Sequence, residues 1–253
     1  MIRLTNVAMR YPNATAPVVK DLSLEVATGE FVALVGQSGV GKSTLLRAIA
    51  GLSPIEAGEI QAPRGQRDGR LCLAMVFQDA RLLPWRRVLS NVAFGMESLG
   101  LTAEQRRLRA RRALDLVGLG ALEARWPYQL SGGQRQRVAL ARALAVEPDV
   151  LLMDEPFAAL DAISRTTLQD EMLRIRTATG ASILFVTHDI DEAVRLADRV
   201  ILLAGQPASV RAVYPVLREQ RDQPGHLPDA ILHQIVNRIR TDLSDGVNEG
   251  AGI

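Results

Sequence analysis

Gly36-Gln37-Ser38-Gly39-Val40-Gly41-Lys42-Ser43-Thr44 is the stretch from which the rest of the chain can be read. It matches G-x-x-x-x-G-K-[ST]; the apolar run 31–35 precedes it, and a helical stripe of Leu46, Ile49 and Ala50 follows, ending near Gly51. A strand, a glycine-rich loop and a helix in this order make a phosphate cradle. The glycines let backbone N–H groups curl around phosphate oxygens, and the helix N-terminus adds positive potential. In this reading Lys42 reaches the β and γ phosphates of a nucleotide, Ser43 ligates Mg²⁺, and Thr44 lies near the α phosphate.

Outward from the loop, the apolar runs 75–77, 150–153, 183–186 and 200–203 do not alternate with polar residues. Such runs are strands buried on both faces, the pattern of a parallel sheet covered by helices. Helical stripes lie between them: Ala110, Ala113, Leu114 and Val117, then Ile190, Ala193, Val194 and Ala197, both at i, i+3, i+4, i+7. The expected fold class is therefore α/β, a phosphate-loop NTPase core with a mostly parallel sheet. Residues 87–147 carry helical patterns and no convincing strand, which predicts a helical subdomain inserted into a core of residues 1–86 and 148–215. Five arginines, at 106, 107, 109, 111 and 112, fall in the insert and read as a solvated helix face, with anionic lipid as the alternative contact. Residues 216–253 form a tail, in which Pro228 and Asp229 open a stripe of Ile231, Leu232, Ile235, Val236 and Ile239. This stripe predicts a helix packed on the core, followed by a frayed end over 246–253.

Composition narrows the function. The 253 residues carry 30 Lys+Arg against 28 Asp+Glu, a net charge of +2, so no strong field argues for wrapping nucleic acid. Aromatic residues, at 4%, are too sparse for a base-stacking platform. The lone cysteine, Cys72, cannot close an internal disulfide. The N-terminus does not read as a signal peptide, and no apolar run approaches the roughly 20 residues that span a bilayer, so a membrane role has to come through a partner.

Two more constellations carry chemistry. Asp154 and Glu155 end the run 150–153, at the carboxyl edge where open α/β sheets bind ligands; one carboxylate can hold Mg²⁺ while the next polarises an attacking water. A plainer reading makes them the acidic start of a helix. In Leu130-Ser131-Gly132-Gly133-Gln134, Ser131 and Gln134 have the spacing of a capping box. Two consecutive glycines contribute nothing to a cap and suit a helix N-terminus that approaches a phosphate closely.

These motifs, followed by Ala159-Leu160-Asp161 and Thr187-His188-Asp189, resemble in residue and order the ATP-binding subunit of ATP-binding-cassette (ABC) transporters over residues 1–215. The resemblance implies a homodimer that sandwiches two ATP molecules, each bound by one copy's phosphate loop and the other copy's Ser131, Gly133 and Gln134. It also implies that Tyr11, before Pro12, stacks on adenine and that Gln78 joins Mg²⁺ and couples its site to a permease. Glu155 is then the general base, Asp154 a Mg²⁺ ligand and His188 the γ-phosphate contact, with Asp161 in a loop that crosses the dimer interface. Plainer readings stand beside these: Tyr11 as a turn aromatic, Gln78 as a strand-end amide, His188 as a satisfied histidine. His226 and His233 match no motif. Ala158 departs from the serine common in the family.

A finer resemblance lies in Phe77-Gln78-Asp79-Ala80-Arg81-Leu82-Leu83-Pro84-Trp85, followed by Asn91-Val92. It is similar to the branch that imports nitrate, taurine and aliphatic sulfonates, as are residues 189–203 with Gln206-Pro207, where many other import ATPases have a glycine-centred turn. Thiamine-precursor import is the alternative within the branch, and an export or lipid-transfer ATPase the alternative outside it. The resemblance implies a peripheral protein on the cytoplasmic face of the inner membrane, an integral permease docked near Leu82, Leu83 and Trp85, and an extracytoplasmic solute-binding protein. A DNA or ribosome cassette would need a coiled-coil insert or two cassettes. A small-molecule kinase would leave residues 130–134 and His188 without a role.

Overall fold

The computed structural model describes residues 1–11, 14–158, 160–216 and 228–250, and of residues 229 and 245–250 only the backbone course. The chain divides into two compact units, Met1–Ala62 with Ser182–Ile253, and Pro63–Ala181.

In the first unit, β3 (Phe31–Gly36) is buried throughout and lies parallel to β9 (Ser182–Val186) and β10 (Arg199–Ala204), with β11 (Ser209–Pro215) antiparallel to β10. The Phe31 ring meets Phe185 edge-on at 5.4 Å, and the Phe31 N–H donates to Asp198 Oδ2 at 3.0 Å. A second, antiparallel sheet has the order β2 (Val19–Val26), β1 (Ile2–Met9), β4 (Ala57–Gln61). It lay outside the sequence reading because β1 breaks its own alternation. Ile2 and Leu4 are buried, but the next buried residues are Val7 and Met9.

Pairing runs from Leu4↔Leu24 to Val7↔Leu22 and from Thr5↔Glu59 to Ala8↔Ala57, so β1 has one extra residue on each side, a bulge that moves the apolar face by one step. Asn6, at φ 49°, forms the bulge, with its N–H on Ser23 Oγ at 2.9 Å. Facing it, Gly58 sits at φ +86°, where a Cβ would stand 2.3 Å from the Asn6 carbonyl oxygen.

The helices of this unit are α1 (Lys42–Ile49), α6 (Ile190–Leu196) and α7 (Asp229–Gly250). The last is the expected tail helix and lies against α6 and β10 with Val236 and Ile239 buried. The Tyr214 hydroxyl donates to the Asp242 carboxylate, and burial with that carboxylate pushes the phenol well above its ordinary range. Arg240 pairs with Asp191 at 2.8 Å. The helix continues to Gly250, so the frayed end expected from 246 is helical that far; residues 251–253 and His226 lie outside the described residues.

The second unit holds a short hairpin of β5 (Gln66–Arg67) and β6 (Arg70–Leu71), then the parallel pair β7 (Leu73–Val76) and β8 (Val150–Asp154). Its helices are α2 (Val88–Phe94), α3 (Ala103–Leu116), α4 (Gly132–Leu144) and α5 (Ala162–Thr179). Of the α3 arginines, Arg106 donates to the Leu101 carbonyl, Arg109 to that of Gly69, and Arg111 pairs with Glu123. No helix among the described residues is long and apolar enough to cross a membrane.

Replacing Gly58 by Ala adds a backbone clash to a left-handed φ and should lower the unfolding free energy by about 2–4 kcal/mol. In a chain of this size that is a fall in Tm of roughly 5–15 °C. Calorimetry and urea titration check it, and a wild-type midpoint would show that the bulge relaxes freely.

Candidate functional site

β3 runs into the glycine-rich loop with no side chain at Gly36, where a Cβ would stand 2.5 Å from the Leu203 carbonyl oxygen. Gly39, at φ +83°, opens onto empty space, and Gly41, at φ +102°, caps α1 without any side chain, its missing Cβ 2.7 Å from Val18 Cγ1. Gly41 thus starts α1 without contributing a side-chain cap, as a helix N-terminus facing an anion can. Gln37, Ser38 and Gly39 are exposed, Val40 is buried, and Ser43 and Thr44 are half-buried. Lys42 is 5% exposed, and its Nζ donates to the carbonyls of Gly36 and Gln37, both at 2.8 Å. The Tyr11 hydroxyl is 2.8 Å from Thr44 Oγ1, which places this half-exposed ring beside α1; Pro12 lies outside the described residues.

Parallel pairing brings Leu34 opposite Val186, so His188 emerges at the same edge as the loop. Its turn is fixed from both sides. The Thr187 N–H donates to the Leu34 carbonyl at 3.2 Å and its hydroxyl to the buried Glu192 at 2.8 Å. Asp189 donates its N–H to Thr187 Oγ1 and caps α6 by accepting from Asp191 and Glu192. His188 itself is exposed.

In the second unit, Val76 pairs with Met153, so Gln78, Asp154 and Glu155 leave β7 and β8 at one edge. Asp154 is buried and Gln78 exposed. Glu155 is half-buried at φ 44°, a left-handed conformation that L residues rarely adopt and that clusters at functional sites. Asp161 caps α5 by accepting from the Ser164 N–H at 3.0 Å, and this hydrogen bonding holds its carboxyl below the usual range. Ala159 lies outside the described residues.

The capping box on α4 is formed. Ser131 Oγ accepts from the Gln134 N–H at 3.2 Å, and Gln134 Oε1 accepts from the Ser131 N–H at 3.0 Å. Gly133 has a packing reason the sequence did not disclose: a Cβ there would stand 3.2 Å from Ser164 Cβ and 3.6 Å from Leu160. The segments of Ser131 and Asp161 thus touch. Downstream of Gln78, Leu82 and Leu83 are half-buried while Trp85 is 69% exposed.

Two residues that the sequence did not place at the site, Glu192 and Asn91, also shape these turns. Glu192 is a buried carboxylate that takes up the Thr187 hydroxyl. Asn91, buried between Val88 and Val92, accepts from the Leu83 N–H and donates to the carbonyls of Leu83, Arg86 and Arg87. A lone amide inside an apolar helical stripe was the available signal for Asn91.

Among the described residues no group of three or more His, Cys, Asp or Glu could hold a metal ion. Mg²⁺ does not need one, since it is commonly held by one or two carboxylates together with nucleotide phosphates.

The family model for the ABC transporter matches residues 19–158. The chain is 48% identical over 209 residues to the aliphatic sulfonates import ATP-binding protein SsuB 1 of Pseudomonas fluorescens, covering 82% of this chain and 76% of that protein. It is 45% identical over 217 residues to the taurine import ATP-binding protein TauB of the same species, covering 83% and 80%. Among solved structures, the dimeric post-hydrolysis state of the ATP-binding cassette MJ0796 bound to ADP and Pi aligns with a TM-score of 0.74 at 32% identity, over 85% of this chain and 99% of that one.

Ser131→Ala should lower the unfolding free energy by about 1 kcal/mol, the usual cost of an N-cap, whereas Ser131→Asp should retain it because Asp caps equally well. Urea unfolding of both variants checks this; equal loss in both would mean that the hydroxyl does more than cap.

Proposed function

We propose that the chain, which belongs to the ABC transporter family and is an ATPase, powers the import of taurine or an aliphatic sulfonate through a separate membrane permease. The observation that carries this reading is the 45–48% identity, over about four fifths of the chain, to import ATP-binding subunits named for those solutes. Residues 87–147 serve as the helical subdomain of the cassette and 216–253 as its tail. The protein sits on the cytoplasmic face of the inner membrane, an extracytoplasmic protein delivers the solute, and the permease docks near Leu82, Leu83 and Trp85.

Two copies enclose two ATP molecules. In each site the N–H groups of residues 36–44 and the Lys42 ammonium bind the phosphates, and the Tyr11 ring stacks on adenine. The glycine at the start of α1 and the glycine conformations of the loop suit this task. Ser43, Gln78 and Asp154 would hold Mg²⁺, which when bound would supply neutralisation of phosphate charge. Glu155 takes a proton from the attacking water; the new O–P bond forms at the γ phosphorus, and the β–γ bridging oxygen leaves with ADP. His188 contacts the γ phosphate. Ser131, Gly133 and Gln134 of the second copy complete the site, and Asp161 lies in the loop that crosses the interface. ATP binding thus closes the dimer, hydrolysis reopens it, and the permease converts the cycle into alternating access.

Glu155→Gln should reduce turnover by roughly 10²–10⁴ while MgATP still binds, and ATP should then trap a dimer visible by light scattering. Adding Ser131→Asp should abolish the trapped dimer by placing a carboxylate against the phosphate. Wild-type turnover in Glu155→Gln would overturn the site assignment.

For the solute, deleting the gene should prevent growth on taurine or an alkanesulfonate as sole sulfur source. Rescue by the wild-type chain and failure of rescue by Glu155→Gln complete the test. Undiminished growth of the deletion strain on both compounds would overturn the solute class and leave the ATPase assignment standing.

A further inference from the structure

The segment that follows β7, from Phe77 to Arg87, belongs to no strand, yet its main chain is held near both ends by side chains. At its far end Asn91 fixes Leu83, Arg86 and Arg87. At its near end the ties come from α4. Gln136, 5% exposed, donates from Nε2 to the Phe77 carbonyl at 3.0 Å. Arg142, less than two turns further along, donates from Nη1 to the Arg81 carbonyl and from Nη2 to the Ala80 carbonyl, both at 2.9 Å. Three carbonyls flanking Gln78 are thus carried by one helix, two of them by charge-assisted bonds.

Arg81 explains what these bonds do. It sits at φ 45°, a conformation that is costly for an L residue and that persists only where the surroundings over-determine it. Its guanidinium lies 4.0 Å from the centre of the Phe77 ring, and the next residues are Leu82, Leu83 and Trp85. The same helix begins at Ser131 and Gly133, and α4 between Ser131 and Arg142 is continuous, with no break to absorb a displacement.

We infer that Gln136 and Arg142 are positioning residues that lock the Gln78 loop to α4, so that a displacement of the Ser131 end carries residues 77–85 with it as one body. The inference rests on the reading of Leu82, Leu83 and Trp85 as the permease contact. Neither side chain touches nucleotide in that reading, and their effect is on transmission between the two ends of α4.

The test uses the full chain, alone and reconstituted with its permease in vesicles, and reads the ratio of permease-stimulated to basal ATPase rate together with MgATP affinity. Gln136→Met and Arg142→Met should reduce the stimulation roughly tenfold, within the usual range of coupling between sites, while basal rate and affinity stay at wild-type values. Amide hydrogen exchange over residues 78–83 should accelerate in both, and Arg142→Lys, which cannot bridge two carbonyls, should recover stimulation only in part.

Should Arg142→Met fail to fold, Gln136→Met decides alone, since it removes one neutral hydrogen bond. Full stimulation in Gln136→Met overturns the inference, as does a loss of basal rate equal to the loss of stimulation. Trp85→Ala separates the two readings. Loss of stimulation there, with Gln136→Met fully stimulated, leaves the permease contact standing and removes the clamp. Stimulation that survives Trp85→Ala overturns the contact itself and the inference built on it.

Discussion

β3 can leave its sheet at Gly36 because nothing but hydrogen stands between that residue and the Leu203 carbonyl of β10. The parallel register places Gly36 directly opposite Leu203, so β3 ends flush against its neighbour and the chain turns at once into the loop that starts α1. Any side chain would push the strand end away from β10. Because β9 follows the same register on the other side, the Thr187-His188 turn emerges at the same edge. One close approach of two backbones thereby sets where a helix begins and which turn lies beside it.

The second unit reaches a comparable arrangement by other means. β8 also ends in a tight departure from its strand, but the residue there is Glu155, which takes the left-handed conformation with its full side chain. At Gly36 space is conserved; at Glu155 backbone strain is accepted so that a carboxylate stands where the strand ends. The helix starts divide along the same line. Ser131, Asp161 and Asp189 each satisfy the first N–H groups of their helices with a side-chain oxygen, whereas Gly41 satisfies none at α1. Thr102 does the same for α3, while α2 starts at Arg87, like α1 at Gly41, with no side-chain cap.

Much of this was legible in the residues. The buried parallel strands showed because runs such as 31–35 and 150–153 have no polar face to hide, and the phosphate loop because its glycines and Lys42 have no other common use together. The β2-β1-β4 sheet was hidden by the Asn6 bulge, which shifts Val7 and Met9 out of step with Ile2 and Leu4. α5 was missed because its buried residues, Leu168, Met172 and Ile175, are spread through a mostly polar sequence. In the candidate site, motifs gave Ser131, Gln134 and Asp161 their local positions. The contact of Gly133 with Ser164 and the reach of Gln136 and Arg142 to distant carbonyls depend on side chains meeting main chain many residues away, and no local pattern encodes that.

The tail helix gives the chain a dependence on its own length. α7 is seated on α6 and β10 by Val236 and Ile239, by the Tyr214–Asp242 hydrogen bond and by the Arg240–Asp191 pair. A chain ended ahead of Asp229 keeps its phosphate loop and the strands of its first unit but uncovers that apolar seat, and uncovered apolar surface costs about 25 cal/mol for each Å² returned to water. Such ground does not stay bare. Shortened chains would pair seat to seat or adhere to other apolar surfaces, so prematurely terminated products would be withdrawn by self-association before any defect in the nucleotide chemistry was felt.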